Sequence, residues 1–166
     1  MQRIKITGFT LMELLITMSI VAILATIAIP SFQSMITRMR MDSEINSLIT
    51  DLNFGRSEAI KQGLPINVCP YTGNICNTGV PLNWSTGWMV LNAATAQPLR
   101  LTAALTHGDT MTSNLASGIS PIFSPVGYPQ FSGFITLHDS NDDQNLRRCI
   151  QFNAGSWQLL TGASCP

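Results

Sequence analysis

Glu13 is the residue whose chemistry stands out first. It is the only charge in an apolar run from Phe9 to Ile29. A run of this length and composition matches the roughly 20 apolar residues needed to span a bilayer. A carboxylate inside such a segment costs about 2.5–3.5 kcal/mol on insertion scales, so by default it has a use. Its natural chemistry there is ion pairing, because a partner of opposite charge offsets part of the cost of burial. Arg3 and Lys5 form a short basic head that Gly8 closes. No small-residue cleavage site follows Ile29, where Pro30-Ser31-Phe32 stands instead. A secretory signal would be cut at such a site. The sensible break lies before the apolar core, between Gly8 and Phe9, and leaves the helix with the mature chain.

The remaining candidate chemistry lies in the polar part of the chain. Cys69, Cys76, Cys149 and Cys165 contain no Cys-x-x-Cys, so a tetrahedral zinc site lacks its usual spacing. In an oxidising compartment four cysteines allow three pairings. Cys69–Cys76 and Cys149–Cys165 are favoured because each closes a local loop, with chain-entropy gains of about 2.5 and about 3 kcal/mol. Asp139-Ser140-Asn141-Asp142-Asp143 places oxygen ligands at alternating positions, like a calcium loop. Gln144 replaces the turn glycine and Ile150 the twelfth-position Glu, so a polar hairpin loop is the better reading. His107 and His138 sit in no Ser-His-Asp or Cys-His spacing. Trp84, Trp88 and Trp157 read as core or sheet-surface aromatics. Nothing here argues for an enzyme, a metal site or a cofactor. Arg147-Arg148 is the only basic pair in the polar part, and within a strand its members would point to opposite faces. A solvated edge pair is the expected reading, ahead of a nucleic-acid contact.

These residues are positioned by two kinds of element. Phe9 to about Gln62 reads as one helix, with Pro30 expected to kink it where it leaves the bilayer. Beyond Pro30, apolar residues recur at helical spacing: Phe32, Met35, Ile36 and Met39, then Ile45, Leu48, Ile49, Leu52, Ala59 and Ile60. Gly63-Leu64-Pro65 supplies the stop. Short strands follow at Ile66–Cys69, Gly87–Leu91, Pro98–Leu101, Thr110–Thr112, Ile119–Phe123, Phe134–His138, Cys149–Asn153 and Trp157–Leu160, separated by Gly, Pro, Asn and Asp clusters. The fold class is α+β: a long N-terminal helix packed by its apolar face on an antiparallel sheet.

Lys5-Ile6-Thr7-Gly8-Phe9-Thr10-Leu11-Met12-Glu13-Leu14-Leu15 resembles the prepilin leader and N-terminal motif of type IV pilins and type II secretion pseudopilins. The downstream order is similar to the GspH/FimT/FimU group of that superfamily. It runs through Gly55–Gly63, Val68-Cys69-Pro70, Asn74-Ile75-Cys76, Trp84-Ser85 and Gly87-Trp88-Met89-Val90. Phe123–Gly127 and Gly133–Leu137 fit the same group. The resemblance implies a prepilin peptidase that cuts after Gly8 and methylates the Phe9 amine. It implies that Glu13 pairs with the Phe9 amine of a neighbouring subunit during assembly. The implied layout is a leader at 1–8, a transmembrane and assembly helix at 9–30 and a periplasmic globular domain at 31–166. The partners implied are minor and major pilins, the peptidase and the inner-membrane assembly platform. The implied role is a minor pilin in the complex that primes assembly and forms the fibre tip, with a type II secretion minor pseudopilin or a FimT-like DNA-binding competence pilin as the alternatives.

Charge weighs against a nucleic-acid receptor. Nine Lys/Arg balance nine Asp/Glu, and removal of Arg3 and Lys5 leaves a net charge of −2. Global attraction to nucleic acid needs a basic surface. FimT-like DNA receptors carry Gly-Arg-x-Arg near the C-terminus, whereas Gly155-Ser156-Trp157-Gln158 stands here without either arginine. DNA is therefore a disfavoured partner.

Overall fold

The computed structural model describes residues 8–73, 75–77, 82–115, 120–153 and 155–166. The leader residues before Gly8, together with Asn74 and Ile119, lie outside them. Helix α1 spans Leu11–Gln62 and runs through Pro30. Among the described residues nine strands follow: β1 (Ile66–Thr72), β2 (Ile75–Cys76), β3 (Trp88–Asn92), β4 (Gln97–Thr102), β5 (Thr110–Leu115), β6 (Ile122–Phe123), β7 (Gly133–His138), β8 (Arg148–Asn153) and β9 (Ser156–Thr161). Backbone contacts divide the chain into two units, one ending at Arg38 and one running from Met39 to Pro166.

The helix ends as its sequence requires. Gly63 adopts φ 64°, and its N–H donates to the Ala59 carbonyl at 3.0 Å. A glycine just past the last turn takes this left-handed conformation without a Cβ penalty. Pro65 then prevents the helix from resuming.

Two antiparallel sheets form the second unit, where the sequence suggested one. The first has the order β2-β1-β3-β4 with β6 also on β1, and the second the order β5-β7-β8-β9. Alternation along each strand sends one set of side chains inward. These are Ile66 and Val68 of β1, Trp88 and Val90 of β3, Met111 and Leu115 of β5, Ile135 and Leu137 of β7, and Ile150 and Phe152 of β8. They meet Met41, Ile45, Leu48, Leu52 and Ala59 of α1 in a single core. Trp84 and Phe123 fill the same core and are fully buried.

The buried face of the helix differs from the expected one at both ends. Phe32, Met35, Ile36 and Met39 are exposed, and so is Ile60. The helix face covered within the second unit begins at Met41, the first of its buried residues. Gly55 lies where the helix comes close to the first sheet. A Cβ there would stand 3.1 Å from Val68 Cγ2 and 3.5 Å from Ile66 and Phe123. Only the smallest side chain leaves the backbone room to approach.

One buried charge joins this helix to the first sheet. Asp51 is 4 % exposed. Its carboxylate accepts from Trp88 Nε1–H at 2.8 Å, Arg100 Nη1 at 2.8 Å and Thr102 Oγ1–H at 2.6 Å. Arg100 also lies over the Phe54 ring, 4.1 Å from its centroid. A buried carboxylate is tolerable when charged and neutral donors meet its oxygens in this way. Asp51→Ala would leave two donors and a guanidinium unmatched, and a loss of about 3 kcal/mol is expected. Urea unfolding of the full chain in detergent should show this, with Asp51→Asn losing less. An unchanged midpoint for Asp51→Ala would contradict the network.

Candidate assembly site

The N-terminal unit is built around the first turn of α1. Thr10 caps it: its Oγ1 accepts from the Glu13 N–H at 3.2 Å, and its carbonyl accepts from the Leu14 N–H at 3.2 Å. Thr10-x-x-Glu13 is the sequence of a capping box, and the structure forms the Thr10 half of it. A carboxylate in the first turn also faces the positive end of the helix dipole. Among the described residues, no cation or N–H meets the Glu13 carboxylate.

Around Glu13 the surface is apolar. Phe9 is 81 % exposed, and Leu11, Met12, Leu14, Leu15, Ile16 and Met18 are exposed with it. The polar side chains of this stretch satisfy themselves within the helix. Thr17, Ser19 and Thr26 donate to the carbonyls of Leu14, Leu15 and Ile23 at 2.9, 2.8 and 2.7 Å. Such internal bonding lets hydroxyls enter a hydrocarbon phase. The helix is long and apolar enough to cross a membrane. The chemistry available here is one carboxylate on an apolar helix.

The cysteines join as Cys69–Cys76 and Cys149–Cys165, each with a Cα–Cα distance of 5.6 Å. The first links β1 to the short strand β2. The second ties the chain end to β8, where Cys165 is buried. The two arginines are not a solvated pair. Arg147 grips Asp142 through Nε at 3.1 Å and Nη2 at 3.0 Å, and Arg148 Nε meets Asp42 at 2.6 Å. Their side chains are only 16 % and 11 % exposed.

The polar loop 139–143 holds itself together. Asp139 accepts from the Asn141 and Asp143 N–H groups, and Asp143 from the Asn145 N–H. Asp142 meets His138 Nδ1 at 2.7 Å, and this contact together with Arg147 lowers its pKa. His107 turns to Thr106 Oγ1. Trp157 is half-buried beneath Arg56, whose guanidinium carbon lies 5.5 Å from the ring centroid. The polar cluster of Arg40, Glu44 and Asp109 gave no sequence signal. Arg40 and Asp109 are 69 positions apart, and only folding unites them.

With both arginines engaged by carboxylates, phosphate contacts have little to work with. Phosphate neutralisation dominates DNA affinity. The full chain in detergent should bind a labelled duplex no tighter than about 10⁻⁴ M at physiological salt, the weak end of non-specific binding. Anisotropy titration at two salt concentrations checks this. Micromolar, salt-sensitive binding lost on replacing Arg147 and Arg148 by Ala would contradict it.

Comparison with known proteins agrees with this architecture. The family profile described as "Type II transport protein GspH" matches residues 44–159. The profile of the prokaryotic N-terminal methylation motif matches residues 3–29. No curated protein matches the chain. Among solved structures, the type IV minor pilin FimU of Pseudomonas aeruginosa is similar in two crystal forms. In space group P21 the TM-score is 0.59 at 20 % identity, covering 78 % of this chain and 94 % of FimU. In P65 the TM-score is 0.56 at 20 % identity, covering 75 % and 96 %. At that identity the likeness concerns the fold, and the profile decides the family. The chain belongs to the GspH family of pilins and pseudopilins, structural proteins that carry an N-terminal methylation motif.

Proposed function

We propose that this protein is a minor pilin of a type IV pilus that acts in the complex priming assembly and stays at or near the fibre tip. Cleavage between Gly8 and Phe9 releases the leader, and residues 9–30 anchor the subunit in the inner membrane. Residues 31–166 form the periplasmic domain. The observation that carries this reading is Glu13: a lone carboxylate on an exposed apolar helix. Pairing with the Phe9 amine of a neighbour offsets the cost of holding that charge in hydrocarbon. A subunit out of register leaves both charges unmatched. The charge therefore selects position while the apolar surface supplies adhesion.

The GspH profile favours a second reading, a minor pseudopilin of type II secretion. The two differ in which fibre the subunit joins. Deletion of the gene followed by assays of surface piliation and of protein secretion separates them. Loss of piliation with normal secretion supports the pilus.

Glu13→Val should leave membrane insertion intact, because it makes the anchor more apolar. Its incorporation into fibres should fall several-fold. Blots of sheared fibres against membranes, in cells expressing each form at matched levels, provide the measurement. Equal incorporation of both forms would show that assembly does not use the carboxylate.

A further inference from the structure

Three charged side chains meet where α1 faces the segment 103–109, which connects β4 of the first sheet to β5 of the second. Arg40 holds Asp109 with two bonds, Nε to Oδ2 at 2.6 Å and Nη2 to Oδ1 at 2.9 Å. The Asp109 side chain is fully buried. Glu44 lies one helical turn beyond Arg40, on the same face. Its Oε2 is buried and, among the described residues, receives no hydrogen bond. Beside it lies a cavity of about 210 Å³ lined by Glu44, Ser47, Trp88 and residues 102–106. Asp109 thus engages the guanidinium through both of its oxygens, and the neighbouring Glu44 oxygen is left without a donor.

We propose that Glu44, Asp109 and Arg40 form a proton-linked latch: a proton held on Glu44 keeps the segment 103–109 seated on the helix, and its loss to solvent releases the segment. The chemistry follows from the buried oxygen. A protonated Glu44 donates its O–H to the Asp109 carboxylate and satisfies both groups. An ionised Glu44 has no donor for Oε2 and repels Asp109. Burial and the Asp109 charge accordingly raise the Glu44 pKa from 4.5 to about 7, against the opposing pull of Arg40 and the Thr106 N–H.

The other charged and titratable groups of this region are committed elsewhere. Asp42, on the same helix, pairs with Arg148. His107 contacts Thr106 Oγ1. His138 and Arg147 share Asp142. From the first sheet, Trp88 lines the cavity with a neutral ring whose N–H is given to Asp51.

The direction of the effect is fixed by linkage. The folded protein holds the Glu44 proton more tightly than the unfolded chain does. Its contribution is complete below pH 4.5, declines through the window up to about pH 7 and is absent above it. Opening of the segment exposes Glu44 and relieves both burial and repulsion. One pKa unit corresponds to about a tenfold change in the opening equilibrium. With Glu44 partly solvated, about tenfold is the change expected over this window.

Amide hydrogen exchange on the full chain in detergent tests the latch, at about pH 5.5 and about pH 8.5 on either side of the titration, corrected for intrinsic exchange. Protection of the amides in 103–109 should fall about tenfold at the higher pH, while amides of β7 and β8 keep theirs. Glu44→Gln, which keeps a donor for Asp109 without a titrating proton, should show equal protection at both values. Three results would overturn the proposal: a pH-independent wild-type segment, an unaltered pH dependence in Glu44→Gln, or uniform loosening of segment and sheets together. The wild-type comparison decides the matter alone should the variant fail to fold.

Discussion

The structure depends on one unmet requirement: within the N-terminal unit, the described large apolar side chains of α1 are exposed. Leu11, Met12, Leu14, Leu15, Ile20, Val21, Ile23, Leu24, Ile27 and Ile29 are exposed. Each such side chain would gain roughly 1.5–3 kcal/mol from burial. An apolar surface of this extent marks a site of association with a membrane or with other proteins. A bilayer can cover it, and so can the same surface of other subunits. Glu13 is the one charge on this surface from Phe9 to Ile29. In the proposed assembly, adhesion is generic and register rests on this single carboxylate.

From Met41 onward the same helix meets the opposite condition. Its apolar face is covered by two sheets, and a buried carboxylate, Asp51, fixes it against the first of them. Packing at Gly55 brings the helix backbone close to β1. Disulfides secure β2 to β1 and the chain end to β8. The covered half is thus specified from within the chain. Arg40 and Glu44 sit at its first turns beside Asp109, and in the proposed latch the protonation of Glu44 sets how firmly the connection between the sheets is held.

Local features were legible in the sequence because local physics decides them. The helix end follows from Gly63-Leu64-Pro65, and most strands follow from alternation between turn residues, to within a few positions. Strand β2 escaped notice because two residues carry no periodicity; its pairing to Tyr71 and Thr72 is held by the Cys69–Cys76 bridge beside it. The division into two sheets was hidden as well, since alternation reports a buried face and not the partner across it. Polar contacts over long separations were the least legible. Asp51 falls outside the apolar positions that mark the helix face in the sequence, and its three donors come from β3 and β4. Arg148 read as solvated because Asp42, 106 positions away, reaches it only in the folded chain; for Arg147 the partner is nearby, but the turn that brings Asp142 back to it carries no periodic signal. Glu13 differs in kind: the expectation for it rests on the apolar run around it, which the sequence displays in full.

The central claim is that α1 stays with the mature subunit and is the part by which it joins a fibre. Mass spectrometry of the mature N-terminus, on protein recovered from sheared surface fibres, tests it most directly. The account requires a chain that begins at N-methylated Phe9 and retains Glu13. A mature chain that begins beyond Ile29 would contradict it, because neither the apolar helix nor its charge would then be present to take part in assembly.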